Sequence, residues 1–149
     1  MTARWVHEFT AAALVSAAVL AFPNRTSAGE AMPSVLPTVV ELMTRDLVGV
    51  PNKEALMITV TYIPGGASLP HRHDAEVFVY VLEGAMTMQV DGSAPVTLGP
   101  GQTFYEGPKD VHRVSANASQ TEPAKILVFI IKDKGKPVSR VIRSEGGSQ

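Results

Sequence analysis

The sequence predicts an all-β fold. Short runs rich in β-branched and aromatic residues recur through residues 55–131, and turn sequences such as Pro64-Gly65-Gly66 separate them. The apolar residues do not follow the spacing of a long amphipathic helix. Many short strands joined by tight turns are typical of a β-sandwich or β-barrel. A single domain is expected, because 149 residues, 45% of them hydrophobic, suit one core.

The predicted strands follow the chain in order. They cover residues 55–63, 77–84, 85–90, 95–98, 103–106, 111–116 and 125–131. Asp91 and Gly92 can take the positive φ of a tight turn, so residues 88–96 predict a hairpin. Residues 39–47 fit either a first strand or a short helix.

The first residues have the three-part pattern of a secretory signal. Arg4 precedes an uncharged apolar run over residues 9–22, and small residues follow around a cleavage site after Ala28 or Ala31. The apolar run is shorter than the roughly 20 residues of a membrane-spanning helix. The predicted organisation is therefore a signal peptide at 1–28, an extended segment at 29–54, a β-barrel at 55–143 and a flexible tail at 144–149.

Charge and cysteine content narrow the classes of function. A formal charge of -1 without a Lys/Arg cluster argues against nucleic-acid binding. The chain has no cysteine, which excludes a disulfide and a cysteine-linked lipid anchor. We expect an exported protein, periplasmic or extracellular, without a stable membrane anchor after cleavage.

Three histidines are candidate metal ligands. His71 and His73 lie two residues apart in an extended segment, so both side chains leave the same face. His112 lies in a later predicted strand, which an antiparallel barrel can bring opposite the pair. Isolated histidines are more often surface or core residues. The paired spacing after Pro70, in a chain without cysteine, favours a metal site.

These histidines lie in two segments that resemble the signature motifs of the cupin superfamily. Gly65, His71, His73 and Gly84 have the spacing of the first motif, and residues 101–117 resemble the second, with Gly101 and His112 in register. The resemblance is to a small single-domain cupin of the type-2 kind, which implies a jelly-roll β-barrel. It also implies a divalent metal bound by His71, His73 and His112.

The chain departs from this family pattern at the carboxylate ligand. The position of the family's glutamate holds Val77, counted either forward from His73 or back from Gly84. Glu76 is adjacent, but it reaches the same face only if a bulge shifts the register by one residue. We therefore expect a three-histidine variant of the motif, with Glu76 as a conditional fourth ligand. In the second motif the asparagine arrives one residue late, at Asn117.

The expected function follows from this metal site. Neutral imidazoles leave the +2 charge of the ion uncompensated, which favours a small anionic organic molecule as ligand. Dioxygenase or isomerase chemistry is the leading hypothesis, with Fe, Mn, Ni, Cu or Zn as the metal. A non-catalytic barrel that binds a small ligand or the metal is the alternative, and a structural barrel without metal is a third reading. Apolar residues on both faces of residues 77–82 predict a homodimer.

Overall fold

The computed structural model describes residues 36–142, which form two five-stranded antiparallel sheets. The order of the first sheet is β1-β2-β9-β4-β7, and that of the second is β10-β3-β8-β5-β6. The strands are β1 (Thr38–Asp46), β2 (Lys53–Tyr62), β3 (His71–Arg72), β4 (Ala75–Glu83), β5 (Met86–Val90), β6 (Val96–Leu98), β7 (Thr103–Glu106), β8 (Val111–Asn117), β9 (Ala124–Asp133) and β10 (Arg140–Val141). No α-helix occurs in this range.

The core lies between the two sheets and is built by period-two alternation. In β2, β4 and β9 every second residue faces inward and is buried, as expected for strands with one face on the core. The second sheet contributes two fully buried methionines from β5. The inward side chains at the centre of this core are Leu56, Ile58, Val60, Val77, Val79, Val81, Met86, Met88, Ile126, Val128 and Ile130.

The all-β prediction is confirmed, and the structure settles one open choice. Residues 38–46 form strand β1, which pairs with β2 at the edge of the first sheet. The predicted hairpin is β5–β6, and Gly92 has a φ of 79° in its turn. The two-residue strands β3 and β10 were not among the predicted strands, because a strand of two residues is too short to show an alternation of apolar and polar residues. The predicted signal peptide and the 144–149 tail lie outside the described residues.

Gly84 ends the first motif because no other residue fits there. Its φ is 69°, and a Cβ atom at this position would lie 2.4 Å from the carbonyl oxygen of Pro123 and 2.8 Å from Cα of Ala124. The left-handed conformation and the close backbone together exclude a side chain. This glycine therefore allows β4 to turn into β5 directly against the start of β9.

A β-bulge at Arg113 explains the late asparagine of the second motif. Val90 pairs with His112 and Gln89 pairs with Val114, which leaves Arg113 as the extra residue of β8. The bulge turns both His112 and Ser115 inward although they are three residues apart. Asn117 is buried, and its amide nitrogen donates to the carbonyl oxygens of Ile63 and Glu122.

Candidate metal centre

The structure brings the three predicted histidines together inside the barrel. His71 of β3 pairs directly with His112 of β8, and His73 follows two residues later on the same face. The ring centroid of His71 lies 4.9 Å from that of His73 and 5.1 Å from that of His112. His73 and His112 are buried. Strand pairing thus places all three imidazoles at one point of the cavity wall.

Hydrogen bonds to backbone carbonyls fix the tautomers of His71 and His73. Nδ1 of His71 donates to the Leu69 carbonyl at 2.7 Å, and Nδ1 of His73 donates to the Val138 carbonyl at 2.7 Å. Because a carbonyl can only accept, each Nδ1 carries the proton, and the neutral ring then has a bare lone pair on Nε2. Burial lowers the pKa of His71, which favours this neutral form.

The two Nε2 atoms face each other at 3.1 Å. Two bare lone pairs at this distance repel, and a shared cation between them would remove that repulsion. Two nitrogens bound to one ion at about 2.1 Å lie about 3 Å apart when they meet it at a right angle. The separation of the His71 and His73 nitrogens matches that value.

Glu106 of β7 supplies a carboxylate to this cluster. It pairs directly with Val77 of β4, so both side chains point inward from adjacent strands. Its Oε1 lies 2.9 Å from Nδ1 of His112, and its Oε2 lies 3.8 Å from Nε2 of His73. One ligand atom from each of His71, His73, Glu106 and His112 lies within 4.8 Å of the others. The carboxylate missing at Val77 is therefore present one strand away.

Unsatisfied buried atoms indicate that these residues fit a metal ion. Oε2 of Glu106 and both ring nitrogens of His112 are buried without a hydrogen-bond partner among the described residues. The 2.9 Å approach between Glu106 and His112 lacks hydrogen-bond geometry. Buried polar groups are rarely left unpaired, and an orphaned carboxylate is costly. A divalent ion held by three imidazoles and one carboxylate would satisfy Oε2 of Glu106 and one ring nitrogen of His112.

The conditional ligand Glu76 lies outside this cluster. Strand alternation places it on the outer face of β4, where its carboxylate accepts a hydrogen bond from the hydroxyl of Tyr105. The neighbouring carboxylate raises the pKa of Tyr105. The described register of β4 contains no bulge between Ala75 and Val81, so Glu76 keeps the outward orientation.

The sequence pattern did not indicate Glu106 as a candidate ligand. The available signal was the alternation of β7, in which Phe104 and Glu106 face inward while Thr103 and Tyr105 face outward. Recognising Glu106 also required knowing that β7 pairs with β4 opposite Val77, a contact far apart in sequence. Phe104 stacks on the ring of His112 at a centroid distance of 5.7 Å, which holds that imidazole in place.

A cavity of about 540 Å³ extends from the cluster through the barrel. Its wall is mainly aliphatic, and its rim carries residues of the edge strands β1 and β10, among them Glu41 and Val141. This volume is in the range of small-molecule sites. A buried polar group at one point of an apolar cavity is the arrangement of a small-ligand pocket.

Comparison with known families identifies the barrel. Residues 58–130 match the family described as the cupin domain. The chain belongs to the cupin superfamily. The match contains both histidine segments as well as Val77 and Glu106, so the candidate metal centre lies inside the cupin domain. A search among curated proteins finds no match to the sequence.

Solved structures share this fold at low sequence identity. The DMSP lyase DddQ from Ruegeria pomeroyi DSS-3 aligns with a TM-score of 0.60 and 20% identity, over 75% of this chain and 54% of that chain. A recombinant oxalate oxidase in complex with glycolate aligns with a TM-score of 0.55 and 22% identity, over 74% and 57%. This cupin therefore spans little more than half the length of either protein.

A protein closer in size is also similar. An uncharacterized conserved protein with a double-stranded β-helix domain from Klebsiella pneumoniae aligns with a TM-score of 0.57 and 15% identity, over 71% of this chain and 86% of that chain. Identities this low concern the fold and do not transfer an activity.

Within residues 36–142, no helix has the length and apolarity needed to span a membrane.

Proposed function

We propose that this cupin is a divalent-metal enzyme that acts on a small organic monoanion, with dioxygenase or isomerase chemistry. The observation that carries the proposal is the His71/His73 pair, whose Nε2 lone pairs face each other at 3.1 Å while both Nδ1 atoms donate to carbonyls. The two Nε2 lone pairs of such a pair are positioned to bind one cation. A bound ion would polarise the substrate and, if it is redox-active, permit oxidation.

The protein residues would hold and orient the reactants. His71, His73, His112 and Glu106 would bind the ion, and the carbonyls of Leu69 and Val138 would keep two of the imidazoles in the binding tautomer. The aliphatic wall would exclude water from the rest of the cavity, which strengthens the electrostatic interaction between the ion and a bound anion.

The charge of the centre supports a monoanion rather than a polyanion. The sequence alone led us to expect an uncompensated +2 charge, but Glu106 reduces the net charge of a loaded site to +1. The carboxylate of Glu41 adds a negative group at the cavity rim. One carboxylate or enolate would neutralise the loaded centre, whereas a second negative charge would meet Glu41 on entry.

Export remains part of this proposal. Its support is the signal-like sequence at residues 1–28, and it implies that the metal is acquired outside the cytoplasm. Intact mass measurement of protein recovered from the native compartment tests it. Cleavage after Ala28 or Ala31 is the expected result, and a full-length chain retained in the cytoplasm would contradict export.

Turnover is the test of the enzymatic proposal. Protein loaded separately with Fe²⁺, Mn²⁺, Ni²⁺, Cu²⁺ or Zn²⁺ is screened against small carboxylates, enolates and diketones, with oxygen uptake and NMR of products as readouts. We expect metal-dependent product formation that is lost in His73→Ala. Tight metal and ligand binding without turnover for any metal would refute the proposal that this protein is an enzyme.

The second candidate function is a non-catalytic barrel that binds a small ligand or the metal. The observation that favours it is the composition of the cavity wall, where the described titratable groups outside the metal cluster are Tyr62 and Glu41. Burial raises the pKa of Tyr62, so this phenol stays protonated at neutral pH and is not available as a base. Equilibrium ligand binding without product is the outcome that this alternative predicts.

A further inference from the structure

A second polar group lies in the wall of the cavity, apart from the metal cluster. The hydroxyls of Tyr62, Ser68 and Ser115 form a cluster, here called the hydroxyl cluster. The Tyr62 hydroxyl lies 3.0 Å from Oγ of Ser68 and 2.9 Å from Oγ of Ser115. Tyr62 and Ser115 are buried, and all three residues line the cavity.

The hydroxyl cluster has one hydrogen more than its internal contacts use. Each hydroxyl carries a single hydrogen, and the two contacts among Tyr62, Ser68 and Ser115 use two of the three. The remaining O–H can donate to another acceptor. Tyr62 keeps its proton at neutral pH, because burial raises its pKa. A spare donor in the cavity wall favours a ligand oxygen there.

The bulge of β8 sets the spacing between the two polar groups. It turns both His112 and Ser115 inward three residues apart, and strand rise then separates them by roughly 7–10 Å. Apolar side chains, among them Val60, Met88 and Ile126, form other parts of the cavity wall. The cavity therefore has two clusters of polar side chains in a predominantly apolar wall, and Glu41 and Ser139 are its further polar lining residues.

We propose that the hydroxyl cluster is the second anchoring point of the cavity. Its ligand would carry a carboxylate or enolate for the metal at one end and a ketone or hydroxyl oxygen at the other. A short apolar chain would join the two ends. This inference rests on the proposed metal centre and narrows its substrate class to short oxo- or hydroxy-acids.

The test uses matched acids and the zinc-loaded protein, since Zn²⁺ has no redox chemistry that would consume the probe. The probes are 4-oxopentanoate, 5-oxohexanoate and 6-oxoheptanoate, each compared with the plain alkanoate of the same length by titration calorimetry. Wild type, Tyr62→Phe and Ser115→Ala are measured. Tyr105→Phe is the control, because Tyr105 is on the outer face. Zinc content is measured for every variant.

The expected result is a preference of roughly fivefold for one oxo-acid over its alkanoate, the ratio for one net hydrogen bond. Tyr62→Phe and Ser115→Ala should abolish the preference at unchanged zinc content, and Tyr105→Phe should keep it. Ser115→Ala keeps the test valid if Tyr62→Phe fails to fold.

Two results would overturn the inference while leaving the metal centre intact. One is zinc-loaded wild type that binds oxo-acids and alkanoates equally, or neither of them. The other is a preference that survives both substitutions. Failure of wild type to bind zinc would overturn the metal centre and this inference together, so the two failures are distinguishable.

Discussion

Replacing Glu106 by glutamine should weaken metal binding. The metal should then stabilise the variant less than it stabilises wild type, whereas the metal-free variant should be at least as stable as the metal-free wild type. The substitution keeps the shape of the side chain but removes the carboxylate that lies 2.9 Å from His112 and 3.8 Å from His73. Loss of groups that merely support metal ligands costs about 10–100-fold in affinity. A direct ligand should cost at least the upper value, about 100-fold.

Thermal unfolding converts this loss into a measurable difference. At a free metal concentration of 100 times the wild-type Kd, binding stabilises the wild type by about 2.7 kcal/mol. A 100-fold weaker variant gains about 0.4 kcal/mol under the same conditions. At about 4 °C per kcal/mol for a domain of this size, the metal-induced rise in Tm should be about 9 °C smaller for Glu106→Gln.

The metal-free protein should show the opposite effect. Oε2 of Glu106 is buried without a hydrogen-bond partner among residues 36–142, so removing its charge should leave the apoprotein at least as stable as wild type. Glu76→Gln is the matched control on the outer face, and its metal affinity should stay within about twofold. An unchanged metal-induced rise in Tm for Glu106→Gln, with a loss for Glu76→Gln, would refute the assignment.

Three further predictions concern the barrel itself. Gly84→Ala should destabilise more than Gly92→Ala in chemical denaturation: both glycines have positive φ, but only at Gly84 would the added Cβ meet backbone. Equal losses would contradict this. Lys132 hydrogen-bonds to Glu54 and lowers its pKa below 4.5, so this pair stabilises the fold above that pH and the stabilisation is lost as pH falls through the lowered value. The gap in unfolding free energy between wild type and Glu54→Gln should therefore narrow in acid, and a constant gap would refute the pairing. We expect a homodimer in which a second copy covers the exposed aromatic side chains around Tyr80. The Tyr80→Lys variant should be monomeric by light scattering. A monomeric wild type would contradict the homodimer.

Local pattern was sufficient to predict most of the barrel. Alternation in β2, β4 and β9 and the Asp91-Gly92 turn are signals within a few residues of each other, and the strands form where these signals lie. The His71/His73 pair is local in the same sense, because strand geometry alone places both rings on one face.

The rest depended on contacts between distant segments. Glu106 joins the cluster because β7 pairs with β4 opposite Val77, and His73 is oriented by the carbonyl of Val138, 65 residues later. Counting along the first motif located the position where the carboxylate is missing. Spacing within one motif does not show which residue lies opposite that position on the neighbouring strand. The late Asn117 was visible in the sequence, whereas the bulge at Arg113 that absorbs the extra residue was not.

Elemental analysis of the purified protein tests the central claim most directly. The protein is taken from its native compartment without chelators or metal-affinity tags, beside a His71→Ala, His73→Ala double variant. The metal centre predicts close to one divalent ion per chain in wild type and its loss in the double variant. Wild type without metal, and without uptake when Fe²⁺, Mn²⁺, Ni²⁺, Cu²⁺ or Zn²⁺ is added, would contradict it.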